Sequence, residues 1–493
     1  MTDLEEHLEI DRQKVINSVK LHLPIEVTSY TLPRNMEAYF RGIEQVFLEA
    51  CHQEHLKEYI DFCLGELLTN SKKANTKRVY FKEKNLDIND PADYAVGMEH
   101  FKEETTANID HYLELQKKEG YYIKFSMQLK DNEIIIDIKN NALLTSFEEE
   151  RIQHKLATAQ KYENMDEVIA NVIDQSEGAG LGIIIIVLML QKVGLTKDCF
   201  KIFCTDTETV TRITLPCDMK ISAGVEIVTY EFVNMQRKLP VLRENFEEVN
   251  KIIKSGFINR NKLLECLRKD ITLTLLTLKY AMEKDEKCFS LPKALEILSD
   301  QELKYIFSDS NPSSEFIPAS EDLKKKWEHA YRTAFFAYNI YKNKNLLGIG
   351  FDDEGIYLLG LLNNIGSILP HTASDEQKQY VVELTDQYED SSEKIRDILK
   401  TGSSNNYLGS IYTKKLGLSK NVYTIMNSWN MVDNIPEEHK SAANILYLAE
   451  MMQYYSEGAV EYYQIDKNIL EENNIQNEEQ FKTILKQLNS RID

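Results

Sequence analysis

The chain has 493 residues, 79 of them acidic and 58 basic, for a formal charge of −21. That length exceeds one ordinary core and requires two to four domains at ~100 to 200 residues each, and the negative balance argues against non-specific attraction to nucleic acid or to an anionic membrane surface. The seven cysteines (51, 63, 199, 204, 217, 266 and 288) are odd in number and form no CxxC pair, which fits reduced thiols in a cytoplasm better than a disulfide framework or a zinc site. The opening MTDLEEHLEIDRQ is acidic and lacks the basic start and apolar core of a signal peptide.

In chain order, the patterning predicts a short amphipathic helix over 4–19, a strand over 25–31 ended by Leu32-Pro33, and a helix over about 36–54. DFCLGELLTNSKKAN, Asp61 to Asn75, follows as another helix. Ile60, Cys63, Leu64, Leu67, Leu68 and Ser71 recur there at the three-and-four spacing that defines one stripe to be buried. A strand is expected over 77–81, a loop over 83–95 and a polar helix over about 98–118. Two strands, 121–128 and 133–138, flank a turn at Lys130 to Asn132. A helix over about 147–172 leads to Ser176-Glu177-Gly178-Ala179-Gly180-Leu181-Gly182 and then to an apolar helix ending near Gly194. Its run GIIIIVLML is about half the ~20 residues needed to cross a bilayer, so it reads as a buried helix. Strands over 200–205 and 210–215 close at Pro216, and the pattern predicts a sheet with helices packed on one side.

Glu66, Asn70 and Lys73 fall at i, i+4 and i+7, so a carboxylate, an amide and an ammonium line a second stripe beside the apolar one. The set suits a metal-bound polyphosphate. An Asn oxygen can ligate Mg²⁺, a Lys answers phosphate charge, and a Glu can accept a proton from water attacking a terminal phosphoryl group. The same three residues also describe an ordinary solvated helix face.

A helix with ExxxN, a strand hairpin, a GxGLG segment opening an apolar helix and two final strands ending ITLP resemble, in that order, the GHKL ATPase fold of histidine kinases and MutL, over roughly residues 20–217. ELLTN at Glu66 to Asn70 is similar to that family's N box, Lys73 to the basic residue on its next turn, and Gly178-Ala179-Gly180-Leu181-Gly182 to its second glycine box. The resemblance implies a site for ATP or ADP with Mg²⁺. Glu66 would be the general base and Asn70 would hold Mg²⁺ through the nucleotide, while Lys73, Asn140, Gly178, Gly180, Leu181, Gly182 and Thr209 would contact the nucleotide. Glycines in that family let a mobile lid approach the phosphates. One box departs from the family: Asn140-Asn141-Ala142-Leu143-Leu144 stands where Asp-x-Gly-x-Gly is the rule. Asn140 can still accept one hydrogen bond from adenine, without charge assistance, while Ala142 and Leu144 in place of glycines narrow the base pocket. His7 and His22 lie in no two-helix dimerisation hairpin, so histidine autokinase activity is not expected.

Residues 218–240 read as a connector, and beyond Pro240 helices are expected near 243–254, 260–268, 270–283, 291–299, 301–307, 321–342, 353–364 and on to the end. DITLTLL at Asp270, SLPKALEIL at Ser290, WEHA at Trp327 and GLLNNIG at Gly360 resemble, in that order, the HDOD domain, an all-helical relative of the HD phosphohydrolases found in bacterial signalling proteins. HD hydrolases ligate metal through a His and a later His-Asp pair, and the matching residues here are His329 and Asn363-Asn364. Two neutral amides do not replace an imidazole and a carboxylate around a transition-metal pair. Phosphodiesterase activity is therefore disfavoured, and His329 reads as a hydrogen-bonded structural residue.

The expected fold class is thus α+β: an N-terminal GHKL-like α/β sandwich over 1–217, a connector over 218–240 and an all-α HDOD-like helical domain over 241–493. The expected function is cytoplasmic bacterial signal transduction, with nucleotide binding in the first domain, coupled through a lid over 141–182 to a protein partner at the second. A homodimer is one assembly open to it, and no contact with nucleic acid or membrane is expected. A scaffold that binds no ATP and a receptor for a cyclic or guanine nucleotide both remain open from the sequence.

Overall fold

The apolar stripe of Ile60, Cys63, Leu64, Leu67 and Leu68 lies buried on a helix that runs unbroken from Lys57 to Glu83. The computed structural model describes residues 8–159, 181–192, 195, 197–217, 223–235, 239–308, 314–317, 321–343, 352–386, 405–429 and 435–492. The chain divides into two units, Met1–Met219 and Lys220–Asp493.

In the first unit the elements follow as α1 (Arg12–Lys20), β1 (Ile25–Ser29), α2 (Arg34–Ala50), α3 (Lys57–Glu83), α4 (Pro91–Ala107), α5 (Ile109–Lys118), β2 (Ile123–Lys130), β3 (Glu133–Asn140), α6 (Ser146–Ala159), α7 (Leu181–Lys192), β4 (Phe200–Cys204) and β5 (Thr209–Pro216). The strands form one antiparallel sheet in the order β1-β2-β3-β5-β4. The β2–β3 hairpin turns at Asp131 and Asn132, with φ of 51° and 62°, a left-handed conformation that Asp and Asn tolerate better than most side chains. Alternation along β2 and β3 places Ile123, Phe125, Met127, Leu129, Ile134, Ile136 and Ile138 on one buried face. Helices α1, α2, α3 and α7 share that core: Phe40 of α2 stacks on Phe125 with ring centroids 5.1 Å apart, and Ile183, Ile184, Ile186 and Val187 make the apolar run of α7 a core helix. The other face carries ion pairs. Arg212 donates to both oxygens of Asp137 at 2.7 and 2.8 Å, and Glu208 accepts from the Tyr122 hydroxyl at 2.6 Å.

The strand expected over 77–81 is instead the last part of α3. Val79, Tyr80 and Phe81 are consecutive and all buried, with Tyr80 against Phe101 and Tyr112 and Phe81 against Tyr94, residues of α4 and α5. A half-buried strand exposes every second residue, and no helix breaker separates Ser71 from Lys77. The single polar helix expected over 98–118 is two helices meeting at Asn108. The expected loop over 83–95 is shortened by an earlier start at Pro91, where the Asp90 side chain caps the amides of Ala92 and Asp93 at 2.9 and 3.0 Å. The helix expected over 147–172 is α6 as far as Ala159; its remainder, with Gly178 and Gly180, lies outside the described residues.

The second unit runs α8 (Ala223–Met235), β6 (Leu239–Leu242), α9 (Arg243–Ile253), α10 (Arg260–Arg268), α11 (Ile271–Met282), α12 (Leu291–Ile297), α13 (Asp300–Ile306), β7 (Ser314–Ile317), α14 (Glu321–Lys342), α15 (Asp353–Leu362), α16 (Ile365–Ile368), α17 (Asp375–Asp386), α18 (Asn405–Lys415), α19 (Lys420–Ser428), α20 (Glu437–Ser456), α21 (Lys467–Glu472) and α22 (Glu478–Ile492). It is not all-α, because β6 and β7 pair in parallel, from Leu239 opposite Ser314 to Leu242 opposite Ile317. Segments of four residues are too short to show a period, and their pairing is non-local. The stretch expected as a connector carries α8, whose terminal carbonyls accept from this unit: Val233 from Lys415 Nζ at 2.7 Å and Met235 from Gln377 at 3.2 Å. Among the described residues no helix is long and apolar enough to cross a membrane.

Glu44 of α2 is fully buried, and among the described residues neither of its carboxylate oxygens meets a hydrogen-bond donor. Burial, reinforced by the charge of Asp61, lifts its pKa to about 8 from the ordinary 4.5. The folded protein then holds a proton that the unfolded chain releases, so stability falls as pH rises from 4.5 through about 8. Glu44→Gln keeps the shape without the ionisation and is expected to flatten that decline. Urea denaturation on both sides of the window measures it, and an unaltered profile would show that the decline has another source.

Candidate functional site

Because the core claims the apolar stripe of α3, Glu66, Asn70 and Lys73 are turned away from it. Glu66 is half-buried, and Asn70 and Lys73 are exposed. Among the described residues none of the three makes a hydrogen bond or ion pair. Gly182 stands in the first turn of α7, so close to α3 that a Cβ there would collide with the Glu66 carboxylate. The two helices approach because both bury side chains in one core. The structure thus brings Glu66 and Gly182 together, with Leu181 beside Gly182 at the head of α7; Gly178 and Gly180 fall outside the described residues.

Asn140 and Thr209 are placed differently. They sit opposite each other on β3 and β5 and both are buried. Asn140 Nδ2 donates to Asn75 Oδ1 at 3.1 Å and reaches the Ala142 carbonyl at 3.5 Å, while Thr209 Oγ1 donates to that carbonyl at 2.8 Å. Asn75 in turn donates to the Tyr122 carbonyl at 3.1 Å. These side chains tie α3 to the sheet, and the amide of Asn140 is engaged inside the protein. Asn75 is absent from the sequence-derived set. Its one signal is a polar residue four positions after Ser71, continuing a stripe that is otherwise apolar.

The segment after β3 is anchored to α3 by ions. Glu148, at the start of α6, pairs with Lys77 at 2.8 Å and with Arg78 at 2.5 Å, and Arg78 also donates to the Leu143 carbonyl at 2.5 Å. Burial opposes ionisation of Glu148, but the two cations outweigh it and hold its pKa at about 2.

In the second unit the position matching a metal site is filled by the protein's own charges. His329 of α14 is buried, with Nε2 2.8 Å from Glu450 Oε2 and Nδ1 2.8 Å from Glu457 Oε1. Burial works against protonation, yet the two carboxylates outweigh it and raise the pKa to about 10, so the ring is an imidazolium that donates from both nitrogens. The other oxygen of the fully buried Glu450 accepts from Asn363 Nδ2 at 2.6 Å and Asn364 Nδ2 at 3.2 Å. Amides at 363 and 364 donate to this carboxylate, whereas an Asp at 364 would repel it. Among the described residues no group of three or more His, Cys, Asp or Glu is arranged to hold a metal ion. Sequence alone marks His329 but not Glu450, which lies 121 positions away.

A family model described as HDOD domain matches residues 239–431. An uncharacterized protein of Treponema pallidum (strain Nichols) is 30% identical over 492 residues, covering 98% of this chain and 94% of that protein. Among solved structures, the MmoQ response regulator of Methylococcus capsulatus str. Bath is 13% identical over 50% of this chain and 94% of its own, with a TM-score of 0.39. A virulence factor of Campylobacter jejuni subsp. jejuni is 11% identical over 51% of this chain and 98% of its own, with a TM-score of 0.36.

Removing one partner of the imidazolium pair strands a buried carboxylate. His329→Ala is expected to destabilise the second unit by about 3 to 5 kcal/mol, the usual cost of breaking a buried pair, read as a drop in its denaturant midpoint. In the wild type the folded pKa is raised, so the contribution is fully present below pH 6.5 and is lost as pH rises through about 10. A variant as stable as wild type at neutral pH would exclude the pair as a support.

Proposed function

Since the chain belongs to the family of the Treponema pallidum protein and carries an HDOD domain over residues 239–431, we propose that it is a bacterial signal-transduction protein of the cytoplasm. In this reading the first unit, a GHKL-like module, binds ATP or ADP with Mg²⁺, and the HDOD domain engages a protein partner or a second copy of the chain. The observation that carries it is the polar stripe of α3, Glu66, Asn70 and Lys73, unengaged among the described residues, with Gly182 set against the Glu66 carboxylate.

Asn70, exposed and without a hydrogen-bond partner among the described residues, is the residue that would hold Mg²⁺ through the nucleotide. The ion would neutralise phosphate charge there. Lys73 adds a point charge on the next turn, and Glu66 is placed to accept a proton from water if the terminal phosphoryl group is hydrolysed. In the second unit, the hold of His329, Asn363 and Asn364 on both oxygens of Glu450 supports an interaction role over phosphodiester hydrolysis.

A second reading rests on Asn140. Its Nδ2 is held by Asn75 and Ala142 inside the protein, which fixes the side chain's orientation, and Leu144 replaces a glycine nearby, which favours a scaffold without ATP or a site for a guanine or cyclic nucleotide. Calorimetry against ATP, ADP, GTP and cyclic nucleotides, with and without Mg²⁺, separates the readings. Heat with an adenine nucleotide that disappears in Asn70→Ala is the expected result, and silence with every nucleotide supports the scaffold. Should turnover occur, Glu66→Gln is expected to abolish it and leave binding intact; unchanged turnover would remove Glu66 from the chemistry.

A further inference from the structure

Cations from two helices converge where α3 passes α6, and little of their charge is answered. Lys77 and Arg78 share the single carboxylate of Glu148. Lys77 Nζ also lies 3.5 Å from the Tyr94 hydroxyl, and Arg151 of α6 donates to that same oxygen at 3.1 Å, so an ammonium and a guanidinium meet from opposite helices. One turn further along stand Lys73, four residues before Lys77, and Lys155, four after Arg151. Among the described residues Lys73, Arg151 and Lys155 have no acidic partner. Lys155 is half-buried, and its ammonium is depressed first by that burial and then by the facing charges of Arg151, Lys77 and Lys73. Among the described residues one carboxylate, Glu148, is paired with any of these five cations, in a chain whose formal charge is −21. Like charges at this proximity repel in a partly desolvated place, and the arrangement gains stability when an anion enters.

We propose that this junction of α3 and α6 binds a polyphosphate group, gripped by Lys73, Lys155 and Arg151. Residues one helical turn apart are ~5 to 6 Å apart at Cβ, so charges spread over two turns of two helices suit an anion with several charged groups rather than a lone monovalent ion. Arg151 offers a fork for phosphate oxygens, and the lysines offer point charges. A nucleic acid, although also phosphate-bearing, is opposed by the chain's overall charge. In placing the phosphates beside Asn70 the assignment rests on the nucleotide reading, but it adds Arg151 and Lys155, on which that reading does not depend.

The test is calorimetric titration of the full-length protein with inorganic tripolyphosphate, and separately with ATP, for the wild type, Lys155→Ala, Arg151→Ala and Lys155→Arg. Tripolyphosphate is expected to bind saturably, about tenfold or more weaker in each alanine variant, near wild type in Lys155→Arg, and with proton uptake on the alkaline side. Arg151 is exposed, so its variant carries the test if Lys155→Ala does not fold. Absence of tripolyphosphate binding in the wild type, or binding in both alanine variants as tight as in the wild type, overturns the site. If ATP heat vanishes in Asn70→Ala but is indifferent to Lys155 and Arg151, the nucleotide reading stands and this site falls. If tripolyphosphate depends on Lys155 and Arg151 while Asn70→Ala is without effect and ATP binds no better than tripolyphosphate, the site stands and the nucleotide reading falls.

Discussion

Helix α3 can bury only one stripe in the sheet core, and that constraint orients the rest of the first unit. Ile60, Cys63, Leu64, Leu67 and Leu68 are all almost fully buried, and a buried aliphatic side chain is worth about 1.5 to 3 kcal/mol. Pairs along a polar helix face are worth about 0.2 to 0.5 kcal/mol each. The core therefore decides which way Glu66, Asn70 and Lys73 point. Helix α7 obeys the same demand, and its approach to α3 sets Gly182 against Glu66. Past Asn75 the helix persists because a second apolar cluster, around Tyr80, Phe81 and Tyr112, covers its far end.

The second unit depends on buried carboxylates that are fully engaged. Asp270 caps α11, accepting from the amides of Thr272 and Leu273 at 2.9 Å each, and also accepts from the Trp327 indole at 3.0 Å. Glu450 joins α14, α15 and α20 through His329 and the two asparagines. Gly360 permits the backbone contact between α15 and Ala334 that brings those asparagines within reach. Three of the four sequence patterns, those at Asp270, Trp327 and Gly360, thus supply polar joints in an apolar interior.

The two units handle buried charge in opposite ways. Around Glu450 an imidazolium and two amides answer both oxygens of the carboxylate. Where α3 meets α6, among the described residues, one carboxylate faces five cations. A carboxylate answered by its own neighbours marks a structural site, and the surplus of cations marks a place for a partner of opposite charge.

Much of the second half was legible in order, because its helices announce themselves locally: Asp270, Ser290 and Ser299 are caps recognisable by residue type and spacing. The five residues from Lys77 to Phe81 were misread for the reverse reason, since a short aromatic and β-branched run fits either period and only α4 and α5 decide for the helix. The pair β6–β7 and the partner of His329 were invisible, because both depend on residues far apart in the chain. The amino-acid sequence by itself determined which residues seek the core and which stripe of α3 would be polar, since side-chain type and helical period are local properties. Tertiary structure alone decided that Asn140 donates to Asn75, that Glu450 is held by His329, and that Lys155 feels the charge of Lys73, because proximity across space is set by how whole elements pack.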